Sequence, residues 1–155
     1  MMTSTEVSEV ERVDAVVDGE AGAIAADDIG RYLALLTEDA VFLPPGATKE
    51  GADLRRWLAE FLRDWRVDWL DYTHDETAVE GDLSYHRFSY SWRLTSKTSG
   101  EKYVDHGKGL HVLRRGADGG WRIAREIWNA RPEPASAPVR EEHAAGDERR
   151  ERGEL

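Results

Sequence analysis

Three residues on successive predicted strands, Tyr90, His106 and Asn129, are of types that together could carry acid–base chemistry. Histidine titrates near neutrality and can take or give a proton, while a tyrosine hydroxyl and an asparagine amide can hold a carbonyl or enolate oxygen. Lys108, two residues beyond His106, could steady a developing negative charge, and Arg125 could do the same. Phe88 and Trp92 flank Tyr90 in phase with it and would grip a carbon skeleton, with Ile127 beside Asn129 on the last strand. A histidine inside an aromatic sheet is more often a structural hydrogen-bonder than a catalyst, so the trio rests on convergence and not on residue type alone. No two of the five histidines form a compact metal motif and there is no cysteine, so neither a metal nor another cofactor is expected.

The elements that must position these residues are legible from periodicity. Residues 102–115 and 121–129 alternate polar and apolar side chains around Gly116-Ala-Asp-Gly-Gly120, which predicts a hairpin. Residues 67–80 and 83–95, separated by Gly81-Asp82, predict two further long strands and an antiparallel meander. Ahead of them, Val10, Val13, Val17, Ala21 and Ile24 recur at helical spacing over residues 6–26, and Ile29, Tyr32, Leu33 and Leu36 predict a second, shorter helix after Asp27-Asp28. A short strand starting at Ala40 must end at Pro44-Pro45 or lie at an edge. Residues 51–65 carry Leu54, Trp57, Leu58, Phe61, Leu62 and Trp65 on one face. This spacing marks core, and Trp57 and Phe61 also count with the residues expected to contact a ligand. Helices first and long strands after predict an α+β fold with the helices on one side of a curled antiparallel sheet.

Strand register decides which residues face inward. On the strand 83–95, His86, Phe88, Tyr90, Trp92 and Leu94 form the apolar face. Pairing Val112 with Ile123 and Val104 with Trp92 puts His106 opposite Tyr90 on one side and Asn129 on the other, with Lys108 opposite Ile127. In this register Gly107, Gly109, His111 and Trp128 face outward, His86 pairs with Leu110 away from the trio, and His74 is a solvated edge residue.

Composition bounds the function. At 155 residues the chain suits one domain, residues 1–130, and the proline- and charge-rich 131–155 is expected to be a disordered tail. A formal net charge of -10 argues against a nucleic-acid partner. No apolar run approaches the roughly 18 residues that span a bilayer and no secretion signal is evident, which predicts a cytoplasmic protein without membrane contact. The predicted outer sheet face, with Tyr85, Tyr103, His111, Leu113 and Trp128, is apolar enough to predict a homodimer.

Leu35-Leu-Thr-Glu-Asp-Ala-Val-Phe-Leu-Pro-Pro-Gly46, Glu50-Gly51 opening a helix, Gly81-Asp82, Gly107-Lys108, and Asp118-Gly-Gly-Trp-Arg-Ile123 ending at Trp128-Asn129 resemble the SnoaL-like proteins of the nuclear transport factor 2 superfamily over residues 8–130. The resemblance implies a curled sheet wrapped by three helices into a cone, open at one end and often dimeric through its outer face. Ketosteroid isomerases of this superfamily use an aspartate near the position of Pro44, which this chain lacks. Scytalone dehydratase-like members place a histidine on the strand of His106, a tyrosine and an aspartate on the first helix and an asparagine late in the sheet, a plan that His106 and Asn129 fit.

These readings lead to two expectations. The first is a cofactor-independent isomerase, cyclase or dehydratase acting on a small apolar carbonyl compound, polyketide- or terpenoid-like, held in the cone. The second is a non-catalytic ligand-binding or homodimerisation module of the same fold, and residue types alone leave open whether the protein is an enzyme.

Overall fold

The computed structural model describes residues 3–132, and the expected tail from residue 133 onward lies outside the described residues. Among the described residues the chain forms three helices and six strands: α1 (Ser4–Ala25), α2 (Ile29–Ala34), β1 (Leu36–Leu43), β2 (Lys49–Glu50), α3 (Gly51–Asp64), β3 (Trp65–Glu80), β4 (Leu83–Ser96), β5 (Lys102–Arg115) and β6 (Trp121–Pro132). Arg131 and Pro132, expected in the tail, extend β6.

The fold is the predicted α+β one, with a difference at one edge. The six strands form a single sheet in the order β2-β1-β6-β5-β4-β3. The four long strands pair antiparallel, whereas β1 runs parallel to β6, so the sheet is mixed. β1 follows α2 directly and lies between β6 and the two-residue β2. Tight reversals are set by glycines at positive φ, Gly81 (63°) between β3 and β4 and Gly119 (83°) between β5 and β6.

One face of the sheet is covered by the helices. Val13, Val17 and Ile24 of α1 are buried against it, and the Trp69 indole nitrogen donates to the Ala21 carbonyl at 3.0 Å, tying α1 to β3. Thr77 of β3 donates to Asp14 at 2.6 Å, and the Trp121 indole of β6 donates to Glu9 at 2.6 Å. From α3, Leu54, Leu58 and Leu62 enter the core while Trp57 and Phe61 stack on Trp128 and Trp92 at 6.4 and 5.9 Å. Among the described residues no helix is long and apolar enough to cross a membrane.

The register of the hairpin differs from the expected one. Leu113, not Val112, lies opposite Ile123, and a bulge follows, so that Val112 pairs with Arg125. Between β4 and β5, Trp92 pairs with Asp105 and Tyr90 with Gly107. The inward set of β5 is therefore Asp105, Gly107, Gly109, His111 and Leu113. Past the bulge the inward set of β6 becomes Glu126, Trp128 and Ala130. A one-residue slip turns every side chain over, and the extra residue of the bulge resets the phase of β6. His106, Lys108, Ile127 and Asn129 consequently lie on the outer face, while His111 and Trp128 lie inside.

The inward glycines explain this choice. A Cβ on Gly107 would stand 2.5 Å from the Tyr90 ring, and one on Gly109 would stand 2.5 Å from Phe88 Cζ. The missing side chains make room for two aromatic rings under the helices. Alternation of apolar residues, which favours Val104, Leu110 and Val112 as the inner set, does not register that requirement.

Candidate acid–base centre and cavity

The curl of the sheet and the apolar face of α3 enclose a cavity of about 50 Å³. Trp57, Phe61, Phe88, Tyr90 and Trp92, all expected at a ligand site, line it, joined by Trp69, Tyr72 and Trp128. At its inner end the wall changes from aromatic to ionisable, with Glu20 from α1, Tyr32 from α2 and Glu126 from β6.

His111 stands behind the two carboxyl groups. Its Nε2 is 2.8 Å from Glu20 Oε1 and 3.4 Å from Glu126 Oε1, and the three side chains are 0%, 4% and 11% exposed respectively. Burial opposes a charge on His111, but Glu126 and Glu20 outweigh it and push its pKa up to about 10. Burial likewise works against an ionised Glu20, yet His111, with hydrogen bonds from His111, Glu126 and Tyr32, brings it below the ordinary carboxylate value. Glu126 is the odd member: burial, then the negative charge of Glu20, pushes it up to about 8. Near neutral pH these shifts favour an imidazolium at His111, a carboxylate at Glu20 and a neutral acid at Glu126, with both carboxyl groups on the cavity wall.

Several buried polar atoms of the lining make no hydrogen bond to protein: Glu20 Oε2, Tyr72 OH, Tyr90 OH and Trp92 Nε1, and Glu126 Oε1 has only its longer ion-pair contact with His111. Burial first, then the charges of Asp105 and Glu126, holds the Tyr90 hydroxyl protonated well above its usual range, and burial first, then Glu20, does the same for Tyr72. Hydroxyls that stay protonated are donors. An apolar chamber with unpaired donors, a neutral acid and a carboxylate at one end is suited to a small compound bearing an oxygen.

The expected trio is not assembled. Tyr90 faces the cavity, whereas the His106 ring nitrogen Nδ1 lies 2.7 Å from Ser91 Oγ on the outer face and Asn129 pairs across from Lys108 there. His106, Lys108 and Asn129 do share a shallow outer groove with Ser89 and Arg131. Ile127 lies on the same face and is 45% exposed. Arg125 donates to the Asp39 carbonyl at 2.9 Å, away from the cavity.

Sequence reasoning missed Glu20, His111 and Glu126 as a set, and one signal was available. Glu20 sits in the helical stripe of Val13, Val17 and Ile24, where an acid facing the core needs a partner. His86, on the inner face as expected, has His111 and not Leu110 opposite it.

Two groups, Glu20 with His111 and Glu126, and Asp14 with His74 and His86, bring potential metal-ligand atoms within 4.8 Å of one another. The closest contacts within them are 2.8 Å for Glu20 and His111 and 2.6 Å for His74 and His86. Ligands of one tetrahedral ion with bonds near 2.0–2.1 Å stand roughly 3.3–3.4 Å apart. The spacing is that of hydrogen bonds.

The profile of the SnoaL-like domain matches residues 13–126. Solved structures share the fold at low identity. A ketosteroid isomerase-like protein from Erwinia carotovora atroseptica is 23% identical, with a TM-score of 0.72 over 79% of this chain and 95% of that one. A candidate scytalone dehydratase from Novosphingobium aromaticivorans is 15% identical, with a TM-score of 0.69 over 84% and 89%. A nuclear transport factor 2-like superfamily protein from Salmonella enterica serovar Typhimurium is 15% identical, with a TM-score of 0.67 over 85% and 98%. No protein of curated function matches the chain.

Proposed function

Since the chain belongs to the SnoaL-like domain family, we propose that it is an acid–base enzyme of the isomerase, cyclase or dehydratase type. Its substrate would be a small, largely apolar carbonyl compound such as a polyketide- or terpenoid-like molecule. The observation that carries this reading is the pairing of a neutral acid and a carboxylate, Glu126 and Glu20, on the wall of an aromatic cavity, backed by His111. Glu20 would accept a proton from carbon or hydroxyl, and Glu126 would deliver one to the substrate oxygen or leaving group. Tyr90 and Tyr72 would donate to the oxygen, and Trp57, Phe61, Phe88 and Trp92 would hold the carbon skeleton. This chemistry requires only side-chain proton carriers. A free volume of about 50 Å³ admits a few water molecules, so a substrate would enter as the α3 aromatics shift. The likeness to a ketosteroid isomerase-like protein and a candidate scytalone dehydratase agrees with the reaction class.

A thermal-shift screen against apolar ketones, enones, phenolic polyketide fragments and terpenoid alcohols tests the cavity, because a ligand of the folded state raises apparent stability. The expected result is a shift selective for one class, followed by turnover of that class that falls at least 100-fold in Glu20→Gln and Glu126→Gln. Turnover unchanged in both variants would overturn the assignment. Binding without turnover would favour the ligand-binding module.

The outer sheet face supports self-association as a second property. Leu83, Tyr85 and Ile127 are 51%, 39% and 45% exposed there. A homodimer through this face would appear in light scattering at micromolar concentration and be lost in Ile127→Lys. A monomer in the unsubstituted protein would refute it.

A further inference from the structure

The acid–base centre does not end at His111. A continuous file of ring nitrogens runs from it to the surface. His111 Nδ1 is 3.1 Å from His86 Nδ1, His86 Nε2 is 2.6 Å from His74 Nδ1, and His74 Nε2 is 2.9 Å from Asp18 Oδ1. Each ring therefore uses both nitrogens within the file. His111 and His86 are fully buried, and exposure then rises to 31% at the His74 side chain and 65% at Asp18.

We propose that His86, His74 and Asp18 are a proton relay that connects the buried Glu20–His111–Glu126 centre to solvent at the edge where α1 crosses β3. The proposal rests on the acid–base reading above and adds to it a route by which the centre is recharged. The need for a route follows from packing. The cavity end of the centre is walled by aromatic rings, and a bound substrate would close it to water. A group that has given up or accepted a proton in one turnover must be restored from elsewhere.

Hydrogen-bond bookkeeping gives one resting arrangement. With His111 charged, both its nitrogens donate, Nε2–H to Glu20 and Nδ1–H to His86. His86 Nδ1 then accepts, leaving its proton on Nε2 to donate to His74 Nδ1, and His74 donates from Nε2 to the Asp18 carboxylate. Every nitrogen in the file is satisfied. A proton leaves when the His111 Nδ1–H bond breaks and one forms at His86 Nδ1, as His86 Nε2–H passes to His74 Nδ1 and His74 Nε2–H to Asp18 and water. One proton is lost, His111 is left neutral with its Nε2–H still on Glu20, and no electrons are transferred to or from the file. Entry of a proton at Asp18 reverses each step and restores both tautomers.

The surroundings support a neutral wire between charged ends. Burial first, then the positive charge of His111, lowers His86 to about 3, so it passes protons without holding one. The other ionisable groups facing the file are Asp14 and Glu20 from α1, Tyr32 from α2, Tyr72 and Asp75 from β3, and Glu126 from β6. Asp14 is engaged by Thr77. Phe88 stacks over His86 at 5.8 Å and Tyr72 meets His74 at 5.7 Å, which keeps the rings in file and apolar groups around them.

The test reads proton traffic without a substrate. In nitrogen-15 labelled protein, two-bond correlations give the protonation of each ring, and saturation transfer gives exchange of the His111 ring protons with water. The expected tautomers are doubly protonated His111 and Nε2–H on His86 and His74. The expected rates fall at least tenfold in His74→Phe and in Asp18→Asn, both at partly exposed positions, and in His86→Phe. Thr77→Val, beside the file but outside it, leaves the rate unchanged. Millimolar imidazole restores exchange in His74→Gly, where it can occupy the vacated ring site, and not in His86→Phe. Undiminished exchange in folded His74→Phe and Asp18→Asn would overturn the relay, as would stoichiometric zinc at His74 and His86 in the purified protein. Exchange that falls in the relay variants while turnover stays intact in Glu20→Gln and Glu126→Gln would instead remove the acid–base assignment and keep the wire.

Discussion

Glu20 Oε1 and His111 Nε2 meet at 2.8 Å with both side chains buried, so the first helix is joined to the middle of the sheet by an ion pair and not by apolar contact alone. A buried pair of this kind costs desolvation that its mutual attraction offsets only in good geometry. Removing one partner leaves the other uncompensated, and Glu20→Ala is expected to lower stability by about 3–5 kcal/mol. The combined change Glu20→Leu, His111→Phe, Glu126→Leu removes every charge at once and is expected to recover most of that loss while abolishing turnover. Urea titrations of the single and triple variants decide the matter, and a triple variant no more stable than Glu20→Ala would show that the centre is primarily structural.

The same centre dictates how stability varies with pH. Burial and then the charge of Glu20 raise Glu126 from 4.5 to about 8, so its contribution is full below 4.5 and is lost as pH rises through about 8. His111, raised from 6.5 to about 10 by Glu126 and Glu20 against burial, adds a loss in the same direction between those values. His86, lowered from 6.5 to about 3 by burial and then His111, contributes in full above 6.5 and loses that contribution as pH falls toward 3. Stability is expected to peak at mildly acidic to neutral pH. In Glu126→Gln the side chain cannot ionise, so its melting temperature is expected to match the unsubstituted protein near pH 4.5 and exceed it by several degrees near pH 8. Parallel melting curves across that range would mean that Glu126 is already ionised in the fold.

Much of the fold was legible in the sequence because it rests on periodicity. The stripe from Leu54 to Trp65 gave α3 nearly to the residue, and the glycine turns at Gly81 and at Gly116 to Gly120 bounded β4, β5 and β6. The aromatic wall was legible for the same reason: Phe88, Tyr90 and Trp92 alternate on one face. The acid–base centre was not, because its members depend on register. Gly107 and Gly109 look neutral in an alternation test, and the bulge on β6 between Ile123 and Arg125 leaves no mark on composition, yet together they decide that His111 and Glu126 face inward and His106 and Asn129 outward. The parallel pairing of β1 with β6 is a long-range choice that local pattern does not encode.

The close approach of Gly107 to Tyr90 makes a direct test of that register. A methyl group built at Gly107 meets the Tyr90 ring at 2.5 Å, with β6 backbone on its other side, so neither neighbour can yield freely. Gly107→Ala is expected to cost about 1–3 kcal/mol through overpacking and to weaken binding of any cavity ligand by displacing Tyr90. The paired change Gly107→Ala, Tyr90→Ala is expected to cost less than the sum of the two single changes, since the ring that clashes is gone. Additive costs in urea titrations would place Gly107 on the outer face, in the register that alternation alone suggests.

Tyr90 also separates what the cavity does for folding from what it does for a ligand. Its hydroxyl is buried without a protein partner, an arrangement that costs about 1–3 kcal/mol when nothing else fills the bond. Tyr90→Phe deletes the oxygen and keeps the ring on Trp69 and Trp92. The ligand-free variant is therefore expected to melt at or above the temperature of the unsubstituted protein, and to lose roughly tenfold or more in affinity for the carbonyl class that the thermal screen selects. Calorimetric titration with that class and with a matched hydrocarbon lacking the oxygen makes the comparison specific: the hydrocarbon is expected to bind both proteins equally. If the variant lost stability and bound the carbonyl compound unchanged, the hydroxyl would be serving the fold through an internal water, and the oxygen of the ligand would have to be held by Tyr72 or Glu126 instead.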